Sequence, residues 1–342
     1  MQHGRQPPPE HEDPSDLAHA LEPALREQLA GALRGEIEWF RATWQRGGAA
    51  TGSAQWFDKQ SGQTIPVVIK LPVGGSELIW TTALGKHGFD RDIRTGQTPF
   101  PTPRVIASGD VLGGYDLGWL VIERLEGTPV SGDLSEDSLE GLLRAATVFQ
   151  QLAADAASRQ DDPLPGKTDS RDWGAIVEQS REVVRDAAIE DIPAWVEALR
   201  KVHKSLPHLL ADWSARPVDD WCHGDLHPGN AIHMPGDPGH PDRCVLIDLG
   251  LVHKGHWIED AVYLERVFWG HDDRLLGVKP VRRMRALRRE MGLPLTGDDG
   301  RLANIKRVLT AAAVPARFAA EGGDAAYHAA ALGCLHRLLD TV

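Results

Sequence analysis

The run His223-Gly224-Asp225-Leu226-His227-Pro228-Gly229-Asn230 sets a carboxylate and a carboxamide with four residues between them. A second carboxylate, Asp248, follows the short apolar run Val245-Leu246-Ile247 and precedes Leu249-Gly250. Asn230 offers a neutral oxygen and Asp248 an anionic one, the hard donors that suit Mg²⁺, which keeps further places for phosphate and water. Asp225 is the group that would accept or orient the proton of a hydroxyl. Together these are the parts of a phosphoryl-transfer site, where the protein supplies alignment and charge neutralisation rather than covalent chemistry. A positioned base contributes about 10²–10⁴ in rate. A lone Asp-Gly or His-Pro would mark only a turn; order, spacing and context taken jointly give these residues their meaning.

The elements that must hold them fall into two textures. Leu17, Leu21, Leu25, Leu29 and Leu33 recur at a four-residue step, which predicts a helix from Asp16 to about Arg41, with Ser15 as its cap. Small residues from Arg46 to Ser53 then predict a loop, and Ile65 to Leu71 a β-branched strand carrying Lys70. A short helix over Ser76 to Leu84 and strands at Val105-Ile106-Ala107 and Leu117 to Ile122 complete a strand-dominated lobe. From Gly127 onward the periodicity is helical, over Leu139–Ala157, Trp173–Ala188, Pro193–Ser214 (with a possible break at Pro207) and from Ile258 to the end, interrupted by the mixed segment Trp221–Gly250 that carries the chemistry. The expected organisation is α+β in two lobes: a disordered tail over 1–15, a small antiparallel β-rich lobe with its N-terminal helix over 16–126, and a larger helical lobe over 127–342.

Composition narrows the function classes. A net charge of −12 argues against nucleic acid as a partner and would suit a cationic one. Three cysteines, Cys222, Cys244 and Cys334, have no paired spacing and give neither a disulfide framework nor a zinc site. The opening residues lack the apolar core of a signal peptide, and no run reaches membrane-spanning length. A cytoplasmic chain without membrane attachment is therefore expected; the sequence is silent on oligomeric state.

The Asp225-to-Asn230 gap is that of a kinase catalytic loop, Asp248-Leu249-Gly250 stands where such kinases carry Asp-Phe-Gly, and Val67-Val68-Ile69-Lys70 is close to their Val-Ala-Ile-Lys. The central motif and Ile247-Asp248-Leu249-Gly250 resemble those of the aminoglycoside phosphotransferase and choline kinase-like family, over about residues 40–340. The resemblance implies the two-lobe protein-kinase-like fold, ATP as donor with Mg²⁺, and a small-molecule hydroxyl as acceptor. It implies Asp225 as the catalytic residue, Asn230 and Asp248 as metal ligands, and Lys70 on the α/β-phosphates. Glu77 is the candidate partner of Lys70; Gly47, Gly48, Gly52 and Ser53 are candidates for a phosphate loop. Main-chain groups of Glu123 and Leu125 stand at the expected adenine hinge. His223 and His227 brace the loop, since Pro228 and Gly229 break the helix that a His-x-x-x-His zinc site would need.

For the acceptor, the residues after Asp248 are the candidates: His253, His256, Trp257, Glu259, Asp260, Asp272 and Asp273, with carboxylates to receive ammonium groups and Trp257 for cation–π contact. Glu259 and Asp260 also suit the start of a helix. The arginines from Arg282 to Arg289 read as a solvated helix face. Two other readings stand beside the small-molecule kinase: a non-catalytic nucleotide-binding regulator of the same fold, and a kinase of glycated protein side chains. The intact set Lys70, Asp225, Asn230 and Asp248 argues against the first.

Overall fold

The computed structural model describes residues 14–40, 49–85, 101–160, 163–166, 171–186, 189–236, 242–318 and 324–342. The chain divides into two compact units, Met1–Thr95 with Pro103–Leu125, and Gly96–Thr102 with Glu126–Val342.

The first unit opens with helix α1 (Pro14–Gln28), which carries Pro23 in its interior. The predicted continuation of this helix to Arg41 does not occur. Ala30 and Gly31 take positive φ, 46° and 72°, and turn the chain into strand β1 (Leu33–Phe40). The leucine step runs across that break: Leu25, Leu29, Leu33 and Ile37 bury in one core, the first from helix and the last two from strand. Strands β2 (Ala50–Phe57), β3 (Thr64–Val73), β4 (Val105–Gly109) and β5 (Gly118–Glu123) complete an antiparallel sheet of order β1-β2-β3-β5-β4. Along β3, Val67, Ile69 and Leu71 are fully buried, so the two-residue period turns Lys70 to the other face. Helix α2 (Gly75–Gly85) follows and puts Glu77 in its first turn.

In the second unit, short β6 (Thr128–Pro129) precedes helix α3 (Glu136–Ala157), which starts at a capping box in which Ser135 and Ser138 exchange side-chain and backbone bonds. Helices α4 (Trp173–Val183) and α5 (Ile192–Ser214) follow; Pro207 lies inside α5 without dividing it. The mixed segment resolves into β7 (Asp220–Cys222), β8 (Ala231–Met234), β9 (Arg243–Leu246) and β10 (His253–Gly255). They form the sheets β6-β8-β9 and β7-β10. Helices α6 (Ile258–Val267), α7 (Pro280–Glu290), α8 (Asp299–Ala312), α9 (Val314–Phe318) and α10 (Ala325–Leu338) close the unit. Helix α3 packs on β7 and β9, and α6 on α7 and α8, so the chemistry-bearing loops lie between well-packed supports.

The arginines of α7 are a solvated face only in part: Arg282, Arg285 and Arg289 are exposed, but Arg288 and Arg283 are not. Arg288 is buried and donates to Gln150, Asp220 and the Pro294 carbonyl. Arg283 pairs with Glu140 and Glu290, and Arg285 with Asp299. The three cysteines are buried and free. Among the described residues, no helix is long and apolar enough to cross a membrane.

Candidate active site

The loop between β7 and β8 is held from behind by one carboxylate. Asp260, in the first turn of α6, accepts the His223 N–H on Oδ2 and the Gly224 N–H on Oδ1, each at 2.9 Å. Gln150 of α3 adds a longer bond to Oδ2 at 3.4 Å, and its amide is oriented by Arg288, which donates to Gln150 Oε1 at 2.7 Å. Gly224 sits at φ 84°, and a Cβ there would come within 2.1 Å of the Leu251 carbonyl oxygen. No other residue type fits that approach.

His223 uses both ring nitrogens. Nε2 lies 3.0 Å from the Ile247 carbonyl, which can only accept, so Nε2 carries the proton. Nδ1 then accepts the Asp225 N–H at 3.3 Å. This neutral tautomer agrees with the full burial of the ring, which pulls its pKa down against Asp260, the Ile247 carbonyl and the nearby carboxylates. His227 caps the turn Pro228–Asn230 by accepting the Gly229 N–H at 3.0 Å, and its Nε2 stands 3.6 Å from Asp225 Oδ2.

Asn230 donates through Nδ2 to the Asp225 carbonyl at 3.0 Å and to Asp225 Oδ2 at 2.9 Å. Both partners are acceptors, so the amide orientation is fixed and Oδ1 faces away from Asp225. Tyr263 of α6 donates its hydroxyl to Asp225 Oδ1. Burial alone would raise the Asp225 pKa. The bonds from His227 and Tyr263 outweigh it and hold the carboxyl well below the usual carboxylate range.

Asp248 is tied to this loop through its neighbour. The Ile247 N–H donates to the Asn230 carbonyl at 3.0 Å, while the Ile247 carbonyl takes the His223 proton. Asp248 itself is half-buried in the left-handed region at φ 64°. Among the described residues its carboxylate has no hydrogen-bond or ion-pair partner. A half-buried anion without a protein partner in a strained backbone position is a site that a cation would complete. The donor set thus fits Mg²⁺, for which Asn230 Oδ1 and Asp248 could supply protein oxygens. Among the described residues no cluster of three or more His, Cys, Asp or Glu offers an all-protein metal site.

Within the first unit, Lys70 Nζ and Glu77 form an ion pair on the face of β3 turned away from its buried residues. Gly52 and Ser53 do not belong to a loop: both lie in β2. Gly52 faces Trp39 across the strands, and a Cβ there would come within 2.9 Å of the Trp39 ring and 2.6 Å of Ile37. Its lack of a side chain serves sheet packing, and the Ser53 hydroxyl receives Arg124 at 3.2 Å. Gly47 and Gly48 lie outside the described residues. At the expected hinge, the Glu123 N–H is already given to the Arg104 carbonyl at 2.9 Å, so it is not open to adenine. Leu125 ends the first unit.

The expected acceptor wall is corrected by burial. Trp257 is 1%, Glu259 5% and Asp260 0% exposed. Asp260 is used on the loop, Glu259 is paired with Arg216 and Lys306, and Trp257 packs as core under the Arg288 guanidinium. None of the three presents a free face to an ammonium group. His256 is buried as well; Asp272 and Asp273 sit in an exposed 3₁₀ turn. Tyr263, which touches Asp225, is the residue the sequence reading missed. The available signal was its place three residues after Asp260, one turn along the same helix face.

Residues 75–331 match the profile of the family described as "Phosphotransferase enzyme family". The chain belongs to that family. It is a phosphotransferase. Its fold is similar to that of an aminoglycoside phosphotransferase from Alicyclobacillus acidocaldarius (17% identity, TM-score 0.52, covering 91% of this chain and 94% of that one). It is also similar to a choline/ethanolamine kinase family protein from Mesorhizobium loti (15%, TM-score 0.53, 96% of each). A third likeness is to a thermostable mutant of aminoglycoside phosphotransferase APH(4)-Ia, solved in ternary complex with ADP and hygromycin B (14%, TM-score 0.50, 94% and 98%). These likenesses give this phosphotransferase the kinase-like fold. No curated protein matches the chain by sequence.

Proposed function

We propose that this phosphotransferase moves the γ-phosphate of ATP to a hydroxyl of a small molecule, with Asp225 as its catalytic residue. The observation that carries this reading is the pair of unlike acids in one loop system. Asp225 accepts from Tyr263 and Asn230 and has His227 beside it, whereas among the described residues the Asp248 carboxylate has no hydrogen-bond or ion-pair partner. The first is built to present a fixed anionic edge to a hydroxyl; the second is built for a cation. The ADP bound to the APH(4)-Ia mutant supports an adenine nucleotide as donor. Magnesium, when bound by Asn230 Oδ1 and Asp248, neutralises charge on the nucleotide phosphates. Lys70, steadied by Glu77, pairs with the α- and β-phosphates. Asp225 stays ionised, accepts the acceptor's hydroxyl proton as a hydrogen bond and aims the oxygen lone pair at phosphorus. As the acceptor's O–P bond forms, the bond from the γ-phosphorus to the β-phosphate oxygen breaks and ADP leaves, with Asp225 placed to take the hydroxyl proton.

The test is nucleotide binding followed by turnover. Saturating MgATP should raise the melting temperature of the full chain, since ligand at about 100 times its Kd stabilises by about 2.7 kcal/mol. Asp248→Asn should abolish the magnesium-dependent part of that shift and keep the melting temperature without nucleotide. An acceptor screen reading ADP release then identifies the hydroxyl compounds used. A wild-type chain that MgATP does not stabilise, or an Asp248→Asn variant with an unchanged shift, would overturn the reading.

A further inference from the structure

A cavity of about 60 Å³ lies within the second unit beside the catalytic loop. Gly224, which precedes Asp225, forms part of its wall, as does Tyr263, whose hydroxyl rests on Asp225. The wall also carries Arg171, His253, Arg266 and Lys306, the last of them paired with Glu259, together with Val262 and Thr310. The acids on it are Glu259 and Asp260, and both are spent. Glu259 takes Arg216 and the His256 N–H on Oε1 and Lys306 on Oε2, and Asp260 takes two loop N–H groups.

One nitrogen on this wall, His253 Nε2, lacks the partner that its burial normally requires, and the half-exposed Arg266 is held by Tyr263. The Arg266 guanidinium lies 4.4 Å above the Tyr263 ring centre, and among the described residues it has no carboxylate partner. His253 gives Nδ1–H to the Leu251 carbonyl at 2.9 Å, since a carbonyl only accepts. Its Nε2 is buried with no hydrogen-bond partner, and Glu259 Oε2, at 3.8 Å, is too far to serve. Burial would lower the His253 pKa, but Glu259 and the Leu251 carbonyl raise it above its ordinary value, which favours a second N–H at that edge. In a chain of net charge −12, a cationic cavity against the catalytic loop is a local reversal of sign.

We infer that this cavity receives an oxyanion of the acceptor, and that the acceptor is a small hydroxylated anion bearing a carboxylate or a phosphate ester. The inference rests on the kinase reading given above and adds the substrate class to it. Tyr263 supplies the ruler: its hydroxyl marks Asp225 and its ring carries Arg266, so the hydroxyl to be phosphorylated and the anion stand about one tyrosine side chain apart. The volume accommodates a carboxylate or a phosphate group.

The test uses the full chain saturated with magnesium and a non-hydrolysable ATP analogue, titrated calorimetrically with inorganic phosphate and, separately, with acetate. Saturable binding of at least one is expected, and the preferred anion separates a phosphate-ester acceptor from a carboxylate one. Arg266→Met keeps the stacking on Tyr263 and removes the charge; it should weaken that binding about tenfold or more, the loss expected for a charge-assisted hydrogen bond. Arg266→Lys should recover part of it. Nucleotide affinity and melting temperature should stay at wild-type values in both variants. The same pattern should appear in the acceptor KM, with hydroxycarboxylates or sugar monophosphates turned over and matched neutral or cationic alcohols turned over poorly. No saturable binding of either anion, equal binding by Arg266→Met, or turnover confined to neutral or cationic alcohols overturns the inference and leaves the kinase reading standing. The titration is repeated without nucleotide, so a chain that fails to bind MgATP still gives an answer about the anion.

Discussion

Asp225→Asn should lower kcat by about 10²–10⁴, the usual contribution of a positioned acid–base group, while nucleotide affinity stays within about twofold. The substitution is unusually clean here. The side-chain Oδ2 receives Asn230 Nδ2 at 2.9 Å and faces His227 Nε2 at 3.6 Å, and Oδ1 receives the Tyr263 hydroxyl. An asparagine can keep its oxygen towards Asn230 and His227 and turn its amide towards Tyr263, whose hydroxyl rotates to accept. The loop is fixed from behind by Asp260 and Gln150, which the substitution does not touch. What changes is charge and lone-pair availability at the edge offered to the acceptor. Steady-state ADP release, set beside calorimetric binding of a non-hydrolysable nucleotide, separates the two effects. Activity within about tenfold of wild type would remove Asp225 from the transfer step, and lost nucleotide binding would assign it to the metal instead.

How far the sequence foretold this site depends on how local each feature is. Asp225, Asn230 and the bracing histidines lie within eight residues, and their spacing is a property of the chain itself. The ion pair of Lys70 with Glu77 spans one strand end and one helix start, so it too could be read from order alone. Tyr263 reaches Asp225 across 38 positions, and only the packing of α6 aims it there. Glu259 and Asp260 illustrate a different limit. Acidic residues at a helix start suit the macrodipole and solvent equally well, and nothing local says that Arg216 and Lys306 converge on one and the loop N–H groups on the other. In the strand-rich unit, the four-residue leucine step described a shared core rather than one helix, because a turn through Ala30 and Gly31 delivers Leu33 and Ile37 to the same cluster from a strand. The acceptor-wall candidates Trp257, Glu259 and Asp260 were misplaced for the same reason: their burial against Arg288, Arg216, Lys306 and the loop N–H groups is set by packing, not by their order along the chain.

Glu259→Gln should cost about 3–5 kcal/mol, the penalty for leaving buried charges without their counter-ion. One carboxylate, 4% exposed, holds two buried cations: Arg216 by two bonds of 3.1 and 3.2 Å to Oε1, and Lys306 by one of 3.0 Å to Oε2. Both cations also lie over the Trp213 ring, at 4.0 and 4.8 Å, so α5, α6 and α8 meet at this point. A glutamine of the same shape keeps an acceptor and loses the charge, and two cations then share a dry pocket. At about 2–4 °C per kcal/mol for a unit of this size, the melting temperature should fall by about 10 °C. The pH dependence has a definite sign. Burial alone would raise the Glu259 pKa, but Lys306, His253, Arg216 and the His256 N–H hold it well below the ordinary glutamate value. A depressed folded pKa means the stabilisation is fully present above the unfolded value of about 4.3 and is lost as pH falls through the folded one. The gap between wild type and Glu259→Gln should therefore persist down to about pH 5, widening as His253, whose pKa Glu259 raises, takes up its proton, and narrow below about pH 4, as the wild type loses the interaction that the variant lacks. Melting curves across that range measure it directly. An equal melting temperature at pH 7 would mean that desolvation already cancels the attraction, and the junction would then owe its stability to the tryptophan stacking rather than to the ion pairs. Because Asp260 is the next residue on the same helix, a variant loosened here should also lose turnover, and a melting temperature and a kcat that fall together would trace the catalytic loop's rigidity to this buried charge.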